Sequence, residues 1–212
     1  MTAVQTSARD LFRAAYENRY TWDSNFPGYT TDVTYKHGDQ TLTGTAKVNA
    51  DLTAEVFGID DEAALKAVKG QLWEVAIHRV RRAFEVTHGK NQFAFGETDD
   101  NGAVKILVEG KSTGDHYKVR NDEVVLVHRH IHGVVVTINT FSTLDTGAGY
   151  LSHTYDSVYH DPQTGEQKQG RSHFTDEYAQ VGDYWVLTRR HVTAEDGPEQ
   201  EFLFTNLQLL EG

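Results

Sequence analysis

Cysteine is absent from all 212 residues, which excludes disulfides, thiolate nucleophiles, iron–sulfur clusters and cysteine-ligated zinc together. Packing alone must hold the fold. No window approaches the roughly 20 apolar residues needed to cross a bilayer. The opening MTAVQTSARD has neither a basic patch before an apolar stretch nor an Arg/Ser-rich amphipathic run, so the expected address is the cytoplasm, or an organelle interior after loss of a transit peptide. Basic residues are also scarce: 20 Lys and Arg stand against 31 Asp and Glu, a formal net charge of −11 at pH 7. That balance disfavours nucleic acid and anionic membrane as partners, since both draw on concentrated positive charge. The cluster Arg79, Arg81 and Arg82 is too small to reverse it.

Linkers are missing too. Proline occurs three times, and there is no Pro/Ser/Gly-rich tract, like-charge block or repeat of 20 to 50 residues. A single domain over residues 1–212 is the expectation, with a length that supports a stable core.

What is present is two short helical patterns and a long alternating one. Residues 7–20 read as a helix capped by Ser7, with Asp10 three positions on and Leu11, Phe12, Ala15 and Tyr16 on one side. Phe26, Pro27 and Gly28 break it. From Thr30 the period falls to 2, with a turn at His37-Gly38-Asp39, giving a hairpin and a third strand. Asp60 or Asp61 caps a second helix carrying Ala64, Leu65, Val68, Leu72, Val75 and Ala76, with Gly70 as a candidate kink.

After about Arg82 helical spacing does not return. Turn chemistry at 100–102, 113–115, 120–122, 145–147, 162–165, 182–183 and 196–198 separates alternating runs, predicting a meander of antiparallel neighbours. The expected fold class is α+β and mostly β: a single long, strongly curved antiparallel sheet with two helices packed on one face.

Gly149–Pro162 (GYLSHTYDSVYHDP), Gly170–Arg190 (GRSHFTDEYAQVGDYWVLTRR) and the opening RYTWDSNFPGYTTDV resemble a family of uncharacterised cyanobacterial and plastid proteins, a domain of unknown function, over nearly the whole chain. No established activity comes with that family, so no catalytic residue is carried over. The order of helix, three strands, helix and long meander also resembles the half-barrel of LolA-type lipoprotein carriers, with GDYWVLTRRHVTAEDGPEQEFLFTNLQLL similar in layout. The resemblance implies a concave apolar surface. Those carriers are exported whereas this chain shows no signal peptide, so their cargo does not transfer.

The residues that invite chemistry are few. His128, His130 and His132 alternate along one strand, and alternate positions share a face. Two of them could share a zinc ion; all three could not, because His128 and His132 would lie about 13 Å apart at 3.3 Å per residue. A third ligand would come from His153 or His173. The competing reading is a solvated strand face opposite a core of Val125, Val127 and Ile131, with Gly133 turning His132 away, and it is favoured because histidine is far more often unmetallated than metallated.

His153, Tyr155 and Asp156 would face His173, Asp176 and Glu177 if their strands pair, but alternation separates Asp156 from the first two. Arg189 and Arg190 must point to opposite faces, one inward toward a carboxylate such as Asp176 or Glu177 or, alternatively, an anionic head group. Trp73 and Trp185 read as buried packing residues, and Tyr150, Tyr155, Tyr159, Tyr178 and Tyr184 as cross-strand packing or the lining of an amphipathic pocket. No Gly-x-Ser-x-Gly elbow, Walker loop or dinucleotide fingerprint is present.

The expected function is therefore a non-catalytic binding protein for a hydrophobic or amphipathic small molecule or an apolar partner segment, with no cofactor or resident metal. Ligand-contact candidates are His128, His130, His153, Tyr155, His173, Arg189 and Arg190. The alternatives are a metal-assisted hydrolase using the histidines and an assembly scaffold.

Overall fold

The computed structural model describes residues 6–211. Its helices are α1 (Ala8–Glu17), α2 (Glu62–Arg79) and α3 (Phe84–His88). The strands are β1 (Gly28–His37), β2 (Gln40–Asn49), β3 (Ala54–Phe57), β4 (Gln92–Thr98), β5 (Val104–Glu109), β6 (His116–Arg120), β7 (Glu123–Ile131), β8 (Val134–Asp145), β9 (Tyr150–His160), β10 (Ser172–Val181), β11 (Tyr184–Ala194) and β12 (Gln200–Leu209). They form one open antiparallel sheet in the order β3-β2-β1-β12-β11-β10-β9-β8-β7-β6-β5-β4. Each of the seven turn signals falls between two consecutive strands of the meander, as hairpin chemistry requires. Among the described residues no helix is long and apolar enough to cross a membrane.

The described residues pack as two compact units, one of residues 6–20 and 82–172, the other of residues 21–81 and 173–211. In the first, Ser7 caps α1 by accepting the Asp10 amide at 3.1 Å and donating to the Asp10 carboxylate at 2.6 Å. The helix buries Ala8, Phe12, Ala15 and Tyr16. Phe12 stacks on Tyr117 of β6 at 4.3 Å and meets Phe84 and His88 of α3 edge-on at 5.8 and 5.0 Å. Ile106, Val108 and Val119 complete this core. Fully burying one such side chain is worth about 1.5–3 kcal/mol.

Two expectations fail here. α3 follows Arg82, where no further helix was predicted; five residues are too few to show a helical period, yet Phe84 and His88, four apart, both turn inward. Along β7 the residues against the core are Val124 and Val127, whereas Ile131 is exposed. A bulge puts Val124 in the place expected of Val125, while Ile131 keeps the parity of Val127 and is exposed at the end of the strand. The pairing shifts from Val119↔Val124 to Lys118↔Leu126, leaving Val125 as the extra residue and switching the alternation.

In the second unit, β1 pairs with β2 and β12, and β11 with β12. Gly28 opens β1 at φ +91°, where a Cβ would lie 2.3 Å from the Val48 carbonyl oxygen, so only glycine fits. Trp22 and Phe26 stack at 3.9 Å, and Tyr29, Val33, Tyr35, Phe202 and Phe204 are buried. α2 is capped by Asp61, which accepts the Ala64 amide at 2.8 Å. Its end is tied by the Trp22 amide donating to the Arg79 carbonyl at 2.8 Å.

Candidate functional site

Sequence-predicted residues of the first unit separate onto two faces. The register His116↔His128↔Thr137 and His130↔Val135↔His160 places His116, His128, His130 and His160 on one face of β6–β9. Tyr155 pairs with Thr140 and shares the opposite face with Val127 and Ile138. His153 falls where the β8–β9 register shifts, in a bulged stretch that breaks the alternation. His132 leaves the strand at φ +49° beside Gly133 at φ +79°, in the turn that Gly133 suggested.

His116 and His128 stack at 4.3 Å, and the His128 and His130 rings lie 6.1 Å apart, edge to face. The Nδ1 of His128 hydrogen-bonds the Thr137 hydroxyl at 2.9 Å, and that of His130 meets Asp115 at 3.1 Å. Burial, then the neighbouring histidines, hold both His116 and His128 below the ordinary imidazole range. Among the described residues no three His, Asp or Glu side chains converge as a metal would require. Asp156 is occupied by Asn139 at 2.8 Å and Arg171 at 2.7 Å.

In the second unit the adjacent arginines diverge as alternation demands. Arg190 is buried and grips Asp176 bidentately, Nε to Oδ1 at 2.7 Å and Nη2 to Oδ2 at 2.6 Å, while Nη1 reaches Gln71 at 2.7 Å and Glu74 at 3.2 Å. The Tyr178 hydroxyl donates to Asp176 at 3.2 Å and accepts from Arg79 at 3.3 Å. Burial first, then the Asp176 charge, raises the Tyr178 pKa well above its usual range, which keeps the phenol neutral. The network clamps α2 to β10 and β11. Arg189, on the other face, bridges Glu201 at 2.6 Å and Glu177 at 2.8 Å. His173, an odd-numbered position like Glu177, shares the Arg189 face and is exposed.

Apolar surface left unclosed in this unit includes the outward side of α2. Trp73, expected in the core, is 59% exposed. The reason lies in the helix itself: Ala64, Val68, Leu72, Val75 and Ala76 already fill its inward face, so Leu65 and Trp73, two turns apart, fall on another. With Glu62, Lys66, Lys69 and Gly70 they line a shallow groove of about 550 Å³. From Leu65 to Trp73 it runs about 12 Å at 1.5 Å per residue. A Cβ added at Gly70 meets nothing within 4 Å, so the glycine floor is open. Neither Lys66 nor Lys69 makes an ion pair among the described residues. A sequence signal did exist: Leu65, Lys69 and Trp73 recur at i, i+4 and i+8, a second apolar-basic stripe beside the core one.

Residues 3–210 match a family model described as "Protein of unknown function (DUF3386)". The chain belongs to the DUF3386 family. This match agrees with the unknown-function resemblance carried by the stretches around Gly149–Pro162 and Gly170–Arg190. No curated protein matches the chain. Solved structures similar to this DUF3386 protein include a putative outer membrane lipoprotein-sorting protein domain from Vibrio parahaemolyticus, at 10% identity over 96% of this chain and 92% of that one, with a TM-score of 0.41. A LolA superfamily protein from Nitrosomonas europaea shares 7% identity over 98% and 96%, with a TM-score of 0.42. A DUF1329 family protein from Desulfovibrio piger shares 11% over 97% and 92%, with a TM-score of 0.31.

Proposed function

We propose that the protein is a non-catalytic binding protein whose α2 groove takes an amphipathic ligand, an apolar chain bearing an acidic head. The observation that carries this reading is the exposed indole of Trp73 beside Leu65 and the bare backbone of Gly70. Covering apolar surface of this kind with an alkyl chain gains about 25 cal/mol per Å² removed from water. Lys66 and Lys69 on the same groove supply unpaired positive charge in a protein of net charge −11, which favours an anionic head over a cationic one.

Titrating the full chain with dodecanoate, dodecanol and dodecyltrimethylammonium while following tryptophan emission tests this. Dodecanoate should give a saturable blue shift, dodecanol a weaker one, and the cationic amphiphile the weakest. Of the other two tryptophans Trp22 is buried and Trp185 half-buried, off the α2 groove, so most of the response should be lost in Trp73→Phe. An identical response in that variant, or no saturable response to any amphiphile, defeats the proposal.

A further inference from the structure

The first unit holds a second cavity, of about 490 Å³ and different chemistry. It is bounded by Glu85, Thr87, Lys90 and Asn91 at α3, by Lys111–Thr113 and Asp115 of the β5–β6 loop, and by Arg129 and His130 of β7. The loop is preorganised: the Asp115 amide donates to Ser112 at 3.0 Å, the Thr113 amide to Gly110 at 3.3 Å, and the Asn91 side chain donates to the Ser112 hydroxyl at 3.4 Å. Gly114, at φ +98°, passes so close to His130 that a Cβ would lie 3.2 Å from its ring.

Charge is distributed unevenly around this cavity. Glu85 is committed to Arg9 at 2.8 Å. Asp115 is buried and spends Oδ1 on the His130 amide at 2.9 Å and the His130 ring at 3.1 Å. Its Oδ2 lies 3.7 Å from the Arg129 Nε, too far for a hydrogen bond. The Arg129 guanidinium therefore makes no hydrogen bond among the described residues, and its buried Nε–H has no acceptor. Its one carboxylate neighbour among those residues is Asp115 at that distance, and Lys90 and Lys111 form no ion pair among the described residues. Burial first, then the Arg129 charge, lowers the pKa of nearby His88 to about 4.

We propose that this cavity is an oxyanion site for a phosphate group, free or esterified, in which Arg129 is the principal donor. Lys90 and Lys111 add charge, and the Ser112 hydroxyl, which accepts from Asn91, keeps its own proton to donate. Asp115 is a positioning residue: it anchors the His130 amide and ring and places a charge 3.7 Å from the Arg129 Nε. A guanidinium fork with no hydrogen-bonded protein acceptor suits a phosphate bidentately, and a buried donor without a protein partner takes an ordered water or an ion. The proposal is independent of the α2 groove.

Calorimetric titration of the full chain with inorganic phosphate, glycerol 3-phosphate and acetate, at ionic strength fixed with chloride, provides the test. Both phosphates should bind saturably at one site and more tightly than acetate. A tighter ester identifies an esterified ligand and a tighter inorganic ion a free one, and either supports the site. Arg129→Gln should weaken phosphate binding by about tenfold or more, equivalent to 1.4 kcal/mol. Lys111→Gln, on a surface loop where folding is not at stake, should weaken it severalfold. Acetate binding as tightly as phosphate, unchanged affinity in Lys111→Gln, or no saturable phosphate binding overturns the proposal.

Discussion

Arg190 and Arg129 each stand on a strand beside a buried aspartate, yet one pair is closed and the other open. Asp176 turns both oxygens to its arginine at 2.7 and 2.6 Å; Asp115 turns one to His130 and leaves the other 3.7 Å from Arg129. The difference lies in where the carboxylate's lone pairs go. An arginine whose donors are taken by protein holds elements together, whereas one left without acceptors has donors for a ligand. Residue type and burial of the aspartate, which the two share, do not distinguish the roles.

The largest expected effect follows from the closed pair. Asp176→Ala takes the bidentate partner from a buried guanidinium, leaving it Glu74 and Gln71 through Nη1, and should cost about 3–5 kcal/mol, read as a shift in urea midpoint. Replacing both partners, Arg190→Met with Asp176→Leu, should recover much of that loss because no charge is then stranded. Asp115→Ala should cost less, about 1–3 kcal/mol for the hydrogen bonds to His130. Equal losses for Asp176→Ala and Asp115→Ala would erase the distinction.

An intermediate effect concerns pH. His88 is 5% exposed and its folded pKa falls to about 4 from 6.5, so between those values the unfolded chain binds more protons than the folded one. Its contribution is complete above about pH 6.5 and is lost as pH falls toward 4. His116 and His128, also lowered, act in the same sense. Urea midpoints should therefore decline from pH 6.5 to 4.5, and His88→Phe should flatten the decline. Because Arg129 is one cause of the shift, Arg129→Gln should flatten it as well, while Arg190→Met should leave its slope unchanged. An equal change of slope in both arginine variants would show that the two charges are not distinguished by their surroundings.

Local chemistry made much of this legible. The Ser7 and Asp61 caps, the seven turns and the divergence of Arg189 from Arg190 all follow from spacing, and each is a short-range rule. The histidine face shows where such rules stop. Reflection through the turn at Asn121-Asp122, both at positive φ, would set His116 opposite Val127; the bulge at Val125 advances the register by one residue and brings it opposite His128. A bulge is chosen by packing across strands, which alternation does not encode. The phosphate-class cavity draws on α3, a loop some 25 residues later and β7, and only the folded register shows that Arg129 lacks an acceptor there. Trp73 misled for another reason: size and apolarity argue for burial, but the inward face of α2 was already full.

The smallest effect is the sharpest probe of the α2 groove. Gly70 sits in mid-helix, where glycine costs roughly 0.5–1 kcal/mol relative to alanine, and a Cβ there meets nothing within 4 Å. Gly70→Ala should thus stabilise the protein by about 0.5–1 kcal/mol in urea unfolding. The same methyl group would stand on the groove floor between Leu65 and Trp73 and should weaken dodecanoate binding severalfold. The two readouts are expected to move in opposite directions, because a glycine kept only for the helix has no reason to be glycine. Stabilisation with unchanged dodecanoate affinity would place the ligand off the Gly70 floor, and stabilisation bought at the expense of binding would mean that the helix gives up stability to keep its surface open.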